Sequence, residues 1–463
     1  MRLLYRMKQI ILISGDLVCF VLAFYISLSL RQFQFPDMGT LSAQLPLMLT
    51  TFALWIVVNY MSGLYDLIHL DHDKKLLRRL MEAAGVSLIV GFLFFYILPS
   101  KDVQPKTILA LTIFFGYSFS ILLRFFSHSI VGIKKLQTRL LLVGYGPQMH
   151  DLINVLKEQE KKGYVVSALV DHQKSLKKEE HPHLDIYTNL QAIRPLISNK
   201  KINLVVVAPE IRADAEAMRE LYELLFWPVS IIDLFSFYET ITGRIHPSTF
   251  SEGWFLEHLK TDKYLVYQRV RMTFDYLIGI LLGILCIILL PFIYIAIKIN
   301  SKGPVLLKQE RVGLYGKKFW LLKFRSMYAL SPDGSAETGG YEFAKKDDKR
   351  ITLVGKILRK TRLDELPQAW NLLRGDVAFI GPRPERPEIV SDLTAQMPYY
   401  PLRHVVKPGL TGWAVIHQNY TDTIELSLQK LQYDLYYIKN RSFLLDISIL
   451  LRTINMLVRF MGQ

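Results

Sequence analysis

Cysteine is almost missing from this chain. Cys19 and Cys286 are its only two, and each lies inside an apolar run. No disulfide framework and no cysteine-based zinc site can be built from them. Acid is short as well: 41 Asp and Glu stand against 56 Lys and Arg, a formal charge of +15. Such an excess suits nucleic acid, an anionic membrane surface or phosphate-bearing substrates. Charged residues of both signs make up only 21% of the 463 residues, while 51% are apolar and the mean hydropathy is +0.22. The apolar content must therefore be gathered into segments. The first of these has no small-residue cleavage site after it and is followed by more runs, so no cleavable signal peptide is expected.

Residues 9–30 (QIILISGDLVCFVLAFYISLSL), about 45–65, about 80–98 and about 107–131 are each long enough to cross a bilayer as a helix. Arg2, Arg6 and Lys8 precede the first. Lys74, Lys75, Arg78 and Arg79 lie between the second and third, and Lys134, Lys135 and Arg139 follow the fourth. The other two loops hold only Arg31, and Lys101 with Lys106. The positive-inside rule then puts both ends of a four-helix sector, residues 1–135, in the cytoplasm. Asp16 lies within the first run, near the inner interface or paired inside the bundle.

Beyond it the texture changes. RLLLVGYG (139–146), YVVSALV (164–170), NLVVVAP (203–209) and VSIIDL (229–234) are short β-branched runs separated by helix-capable stretches. That alternation predicts a parallel sheet with helices on its faces, over residues 136–260. Gly144-Tyr145-Gly146 resembles a dinucleotide fingerprint, but Met149 stands where the third glycine belongs and Pro147 stiffens the turn. A Rossmann-like domain with a structural or regulatory role and no bound cofactor is the expectation.

Residues 276–297 (YLIGILLGILCIILLPFIYIAI) form another charge-free run. Pro291 inside it removes a backbone hydrogen bond and kinks a helix. Its flanks are basic on both sides, Arg269 and Arg271 before, Lys298 and Lys302 after, so it shows none of the asymmetry of a crossing helix. A re-entrant helix over about 270–299, dipping in and bending at Pro291, leaves both flanks in the cytoplasm. A kinked fifth span would instead send the last domain outside.

That last domain, 261–463, is rich in Arg, Lys, Gly and Pro. In KFRSM (323–327), Lys323 and Arg325 alternate onto one face of an expected strand. Arg359 and Arg362 precede the adjacent acids Asp364 and Glu365. GPRPERP (381–387) sets Arg383 and Arg386 between prolines that restrict the backbone. Taken alone, RLDELPQAWN (362–371) reads as a short helix with Asp as N-cap, proline in its first turn and Gly375 as its stop. Three cationic clusters around one acidic pair point further. Arginine forks suit phosphate oxygens, and a carboxylate among them is suited to phosphoryl transfer.

KFRSM, RLDELPQAWN, GDVAFIGPRP (375–384), KPGLTGW (407–413) and YDLYYI (433–438) together resemble the bacterial sugar-transferase family, over roughly residues 264–463. These are monotopic-type phosphoglycosyl transferases. Members move a sugar-1-phosphate from a UDP-sugar to a polyprenol (undecaprenyl) phosphate and release UMP, as the first membrane step of exopolysaccharide, capsule or O-antigen assembly. The implied architecture is a four-span membrane α-helical bundle, an α/β Rossmann-like domain, and an α/β catalytic domain with a re-entrant membrane helix and interfacial helices. The resemblance implies Asp364 as nucleophile, forming a phosphosugar–aspartyl intermediate, with Glu365 as its dyad partner. It implies Lys323, Arg359 and Arg383 near the phosphates, and Arg325 of the same cationic cluster is counted with them. Mg²⁺ is implied close to Asp364, with Asp434 as a second approach to it, and Pro291 as the helix-breaking proline. The long members imply a homodimer at the bacterial inner membrane with its catalytic domain on the cytoplasmic face, and no nucleic-acid partner. The chain departs from the pattern at Val415, where glutamine is usual; Gln418 follows three residues on. The residues leave glucose, galactose and N-acetylated sugars open.

Tyr433, Tyr436 and Tyr437 are expected to pack rather than to stack on a base. FLLDISILLRTINMLVRFMG fits either a membrane-surface helix or one packed on the catalytic domain. Two rival functions stand beside the transferase. A membrane-anchored nucleotide-sugar dehydratase would use Tyr341-Glu342-Phe343-Ala344-Lys345, but no strand–glycine turn–helix precedes that match. A non-enzymatic polysaccharide-assembly scaffold would use the dyad only to cap a helix.

Overall fold

The computed structural model describes residues 2–65, 74–97, 105–130, 138–158, 163–174, 183–259, 265–331, 350–418 and 423–458, with the single residues 176, 336 and 348. The chain divides into two compact units, Met1–Phe237 and Tyr238–Gln463.

The first unit opens with four helices, α1 (Arg2–Gln32), α2 (Met38–Met61), α3 (Lys74–Ile97) and α4 (Pro105–Ile130). Each holds a stretch long and apolar enough to cross a membrane. Small residues let α1 and α4 approach closely. A Cβ on Gly15 would stand 2.6 Å from a Leu123 methyl, and one on Gly116 would stand 2.6 Å from the Phe20 ring. Phe20 in turn stacks on Phe52 and meets Trp55 edge-on. Beside this aromatic core lies a buried polar network with members on all four helices. Arg124 donates to both oxygens of Asp16 at 2.7 and 2.9 Å. Ser120 donates to the same carboxylate at 2.6 Å and Asn59 at 3.3 Å. Tyr117 donates to Asn59 at 2.7 Å and lies 2.8 Å from the Ser87 hydroxyl. Asp16 thus pairs within the bundle. Its charge needs that partner, because an unpaired ion removed from water is expensive.

The second part of this unit is a five-stranded parallel sheet of order β3-β2-β1-β4-β5. Its elements are β1 (Thr138–Val143), α5 (Pro147–Glu158), β2 (Tyr164–Val170), β3 (Ile186–Tyr187), α6 (Ile193–Lys200), β4 (Leu204–Val207), α7 (Ala215–Glu223) and β5 (Ser230–Asp233). The doubly wound order is the one expected of a Rossmann-like domain. Interior strand β4 is buried at every residue, so its run is apolar without alternation. After β1, Gly144 takes φ +87°, and a Cβ there would stand 2.5 Å from Ile211. A Cβ on Gly146 would stand 2.5 Å from a carboxylate oxygen of Glu210. The turn therefore carries a negative side chain against its second glycine.

The second unit begins within α8 (Leu234–Thr242) and continues with α9 (Glu252–His258) and α10 (Leu265–Asn300). Residues 243–258, placed with the sheet domain by their sequence, pack here instead. The Ile245 amide donates to Gln432 at 3.2 Å, Trp413 donates to the Gly243 carbonyl at 2.8 Å, and Phe250 and Phe255 meet Tyr399. There follow an antiparallel hairpin of β6 (Leu306–Val312) and β7 (Lys318–Phe324), then α11 (Leu353–Thr361), α12 (Gln368–Arg374), β8 (Ala378–Ile380) and α13 (Pro387–Gln396). β9 (Gly409–Thr411) pairs with β8 in parallel, and α14 (Trp413–His417), α15 (Ile424–Asn440) and α16 (Phe443–Val458) complete the unit.

Pro291, expected to break the helix, does not: α10 runs unbroken through it for 36 residues, because a proline removes one backbone hydrogen bond without ending a helix held by its packing. One face lies along the domain over its whole length. Arg271 donates to the Ile380 carbonyl, Asp275 accepts from the Phe379 amide at 2.9 Å, and Gly279 faces Leu373. Further on, Cys286, Leu289, Ile293 and Ile297 pack with Phe324, Leu358 and Leu366. The opposite face leaves Leu281, Ile287 and Phe292 exposed. Helix α16 also divides: Asp446 accepts from Tyr267 and Tyr437, Ile449 is buried, and Leu444 and Ile447 are exposed. The packing on the catalytic domain is thus observed.

The bundle network generates a test. Asp16→Leu strands Arg124 and is expected to cost about 3–5 kcal/mol. Asp16→Leu with Arg124→Met restores most of that loss. Thermal unfolding of the purified protein reads the difference, and a double variant no more stable than the single one contradicts the pairing.

Candidate active site

The site grows from β7. The side chain of Asn371 on α12 completes the edge of that strand, accepting from the Leu322 amide at 3.0 Å and donating to the Trp320 carbonyl at 2.7 Å. The last residue of RLDELPQAWN thereby ties the motif to the strand that carries Lys323. Helix α11 is laid against the end of β7 just as closely. A Cβ on Gly355 would stand 1.8 Å from the Ser326 carbonyl oxygen, so only glycine fits, and Arg359 donates to the Ser326 hydroxyl at 2.9 Å. Thr352 caps this helix through the Gly355 amide.

Arg362 ends α11 in the left-handed region, φ 58° and ψ 17°. A non-glycine residue held there stores roughly 1 kcal/mol or more of strain, a cost that clusters at functional sites. The turn separates α11 from α12 and leaves Asp364 and Glu365 in a 3-10 segment between them. Here the expected N-cap is corrected: the cap position of α12 is Pro367, with no side-chain cap bond. Gly375 does stop the helix, at φ 78°. Asp364 is buried, and its Oδ1 receives no hydrogen bond among the described residues. Such a group in a folded protein calls for an explanation.

The two acids are driven apart. Burial first, and the neighbouring Glu365 charge second, push Asp364 up to about 6 against the pull of Lys323, Arg359 and Arg362. Burial would raise Glu365 too, but Arg383 at 2.6 Å and Arg362 at 3.2 Å outweigh it and hold Glu365 at about 2. Burial and the Arg311, Arg359 and Arg383 charges bring Lys323 down to about 7, against the raising effect of Asp364. Paired titratable groups with separated affinities are the mark of acid–base and nucleophilic division.

Of the four expected phosphate-binding cations, Lys323, Arg359 and Arg383 share the electrostatic neighbourhood of Asp364. Arg325 does not join them. It lies just past the last residue of β7, where strand alternation no longer applies. Its guanidinium binds the Ser301 and Lys302 carbonyls at 2.7 and 2.9 Å, closing the end of α10. Asp434 is likewise placed elsewhere, in a buried ion pair with Arg403 at 2.8 Å. The tyrosines pack: Tyr433 stacks on His417, Tyr436 on Trp413, and Tyr437 is buried with its hydroxyl on Asp446. Gln418 donates to the Leu426 carbonyl at 2.9 Å. Residues 341–345, the dehydratase-like match, lie outside the described residues. Sequence reasoning missed Asn371 and Arg311. Nothing local in the sequence marks either residue.

The donor set limits any metal. Among the described residues no group of three or more His, Cys, Asp or Glu could hold one. Glu365 is taken by two arginines, which leaves the free Oδ1 of Asp364. That fits Mg²⁺ in its usual form, one carboxylate plus substrate phosphates and water, and no all-protein cage.

Residues 266–460 match the family described as bacterial sugar transferase. Over 224 residues the chain is 37% identical to the UDP-N-acetylgalactosamine-undecaprenyl-phosphate N-acetylgalactosaminephosphotransferase of Aeromonas hydrophila, covering 48% of this chain and 51% of that protein. It is 40% identical over 192 residues to a UDP-glucose:undecaprenyl-phosphate glucose-1-phosphate transferase of Klebsiella pneumoniae, covering 41% of this chain and 40% of that one. A protein of the same description from Caulobacter vibrioides is 38% identical over 188 residues, covering 40% of this chain and 68% of the relative. The chain spans about half or less of the length of the first two. The matched segment contains every residue of the acid–cation cluster, and with two thirds of the Caulobacter protein aligned, this chain belongs to the bacterial sugar transferase family.

Proposed function

We propose that this chain transfers a sugar-1-phosphate from a UDP-sugar to a polyprenol phosphate and releases UMP, through a covalent intermediate on Asp364. One observation carries the reading: a buried carboxylate with an unbonded oxygen stands beside an arginine-clamped glutamate and within the field of Lys323, Arg359 and Arg383. At neutral pH Asp364 is ionised. Its oxygen attacks the β-phosphorus, the bond from that phosphorus to the bridging oxygen breaks, and UMP leaves with the electron pair. A phosphate oxygen of the polyprenol phosphate then attacks the same phosphorus and returns the carboxylate. Lys323, Arg359 and Arg383 bind the phosphate oxygens and offset their charge. Asp364 would be the residue to hold Mg²⁺, which would supply further neutralisation of phosphate charge.

The substrates meet at α10. A polyprenol tail needs the bilayer and a UDP-sugar needs water, while one domain packs against this helix from Arg271 to Ile297. A straight crossing would separate those ends by the thickness of the membrane, roughly 30 Å. Packing of one charged domain along the helix at both ends favours keeping both flanks on the cytoplasmic side, and because the helix is unbroken at Pro291, a return there would need it to bend. The dehydratase alternative is weakened by Glu210, whose carboxylate lies against Gly146 where a diphosphate would approach such a turn. The named relatives act on N-acetylgalactosamine and glucose donors, so both belong in a test panel.

UMP release from membranes given polyprenol phosphate, Mg²⁺ and one UDP-sugar at a time is expected for a single donor class, and to fall by at least about 1,000-fold in Asp364→Asn. The acid limb of kcat/KM is expected near pH 6, because protonation removes the nucleophile. Glu365→Gln removes the negative charge that raises Asp364, so the residual activity keeps its limb at lower pH. A limb unmoved or raised contradicts the assignment. For topology, cysteines replacing Arg269 and Lys302, in a chain without Cys19 and Cys286, are expected to resist an impermeant maleimide in intact cells and both to react after lysis. Labelling of either one from outside would make α10 a crossing helix.

A further inference from the structure

A second buried charge cluster lies beyond the acids. Glu385 is bound by Lys430 and stands 3.8 Å from both Arg311 and Arg403. Arg403, 1% exposed, pairs with Asp434 at 2.8 Å and donates to the Tyr400 hydroxyl at 2.6 Å. Burying five charges is costly, and replacing such groups by apolar ones is often neutral or stabilising, so stability alone does not account for them. Their contacts converge on one loop. Arg403 donates to the Arg383 carbonyl at 2.9 Å, Arg311 to the Pro384 carbonyl at 3.2 Å, and the Val312 amide to the Glu385 carbonyl at 2.9 Å. Three successive carbonyls of the proline-bounded loop are held, and the side chain that leaves that loop is the Arg383 fork on Glu365.

We propose that Arg403, fixed by Asp434, is a positioning residue that sets Arg383 against Glu365, and that Asp434 serves as the counter-ion of Arg403 and not as a metal ligand. This rests on the transferase reading for its kinetic consequence. Arginine is required because one guanidinium serves Asp434, Tyr400 and the Arg383 carbonyl together, which a lysine ammonium cannot do in that plane.

The test is a double-mutant cycle on the full chain. Arg403→Lys is expected to lower kcat for UMP release about 10-fold with KM changed less than about 2-fold, and Arg383→Ala about 100-fold. The double variant should match Arg383→Ala alone. Losses that multiply, or a fall carried by KM, overturn the proposal. A readout without turnover is the structure of the Arg403→Lys variant, in which the Arg383 guanidinium is expected to have left the Glu365 carboxylate it holds at 2.6 Å. An unmoved Arg383–Glu365 contact overturns the proposal even if the chain releases no UMP, a result that by itself would sink only the reading above. Asp434→Asn keeps the side-chain shape, carries the same expectations, and stands in if Arg403→Lys does not fold.

Discussion

The Arg383–Glu365 contact is the constraint on which the rest of the site depends. Two adjacent carboxylates in a water-poor setting resist ionising together, because each charge raises the other's proton affinity. Clamping Glu365 between Arg383 and Arg362 resolves that conflict in one direction: Glu365 stays charged, and Asp364 carries the whole of the upward shift. An acid near 6 is ionised at neutral pH yet more basic than an ordinary aspartate, which suits the attacking role proposed for it. The strain at Arg362 belongs to the same device, since its left-handed turn takes Asp364 out of a helix cap and leaves one oxygen without a hydrogen bond.

Around this contact the second unit is built by close backbone approach. Gly355 against Ser326, and Gly409 against Gly381 where a Cβ would stand 2.1 Å from a backbone nitrogen, bring α11 and the β8–β9 pair nearer than side chains allow. Asn371 then joins α12 to the edge of β7. These contacts hold Lys323, Arg359 and Arg383 on three separate elements while drawing their charges together, and mutual repulsion among the cations is offset by the acids they surround. Helix α10 packs on the same elements along one face and leaves the other apolar and exposed. An apolar helix face and a charged cluster thus stand on one packed unit.

Much of this was legible in the residues. The four long apolar helices, the parallel strands, the Gly375 stop and the cation clusters around Asp364 all follow from local pattern. What escaped was set by distance along the chain. Strand β3 has two residues, Ile186 and Tyr187, too few to show a period. Arg325 and Lys323 share a strand parity, but the strand ends between them, so one side chain faces the acids and the other closes α10. Asp434 finds its partner in Arg403 on a different element, and no periodicity announces that pair. The N-cap reading of Asp364 failed because the preceding arginine, not the acid, takes the special backbone conformation.

Mass analysis of the Asp364 peptide after exposure to the UDP-sugar donor in the absence of polyprenol phosphate tests the central claim most directly. The account predicts one added sugar-phosphate, on Asp364, lost when polyprenol phosphate is supplied. UMP release with that peptide unmodified, or with the added mass on another residue, would contradict it.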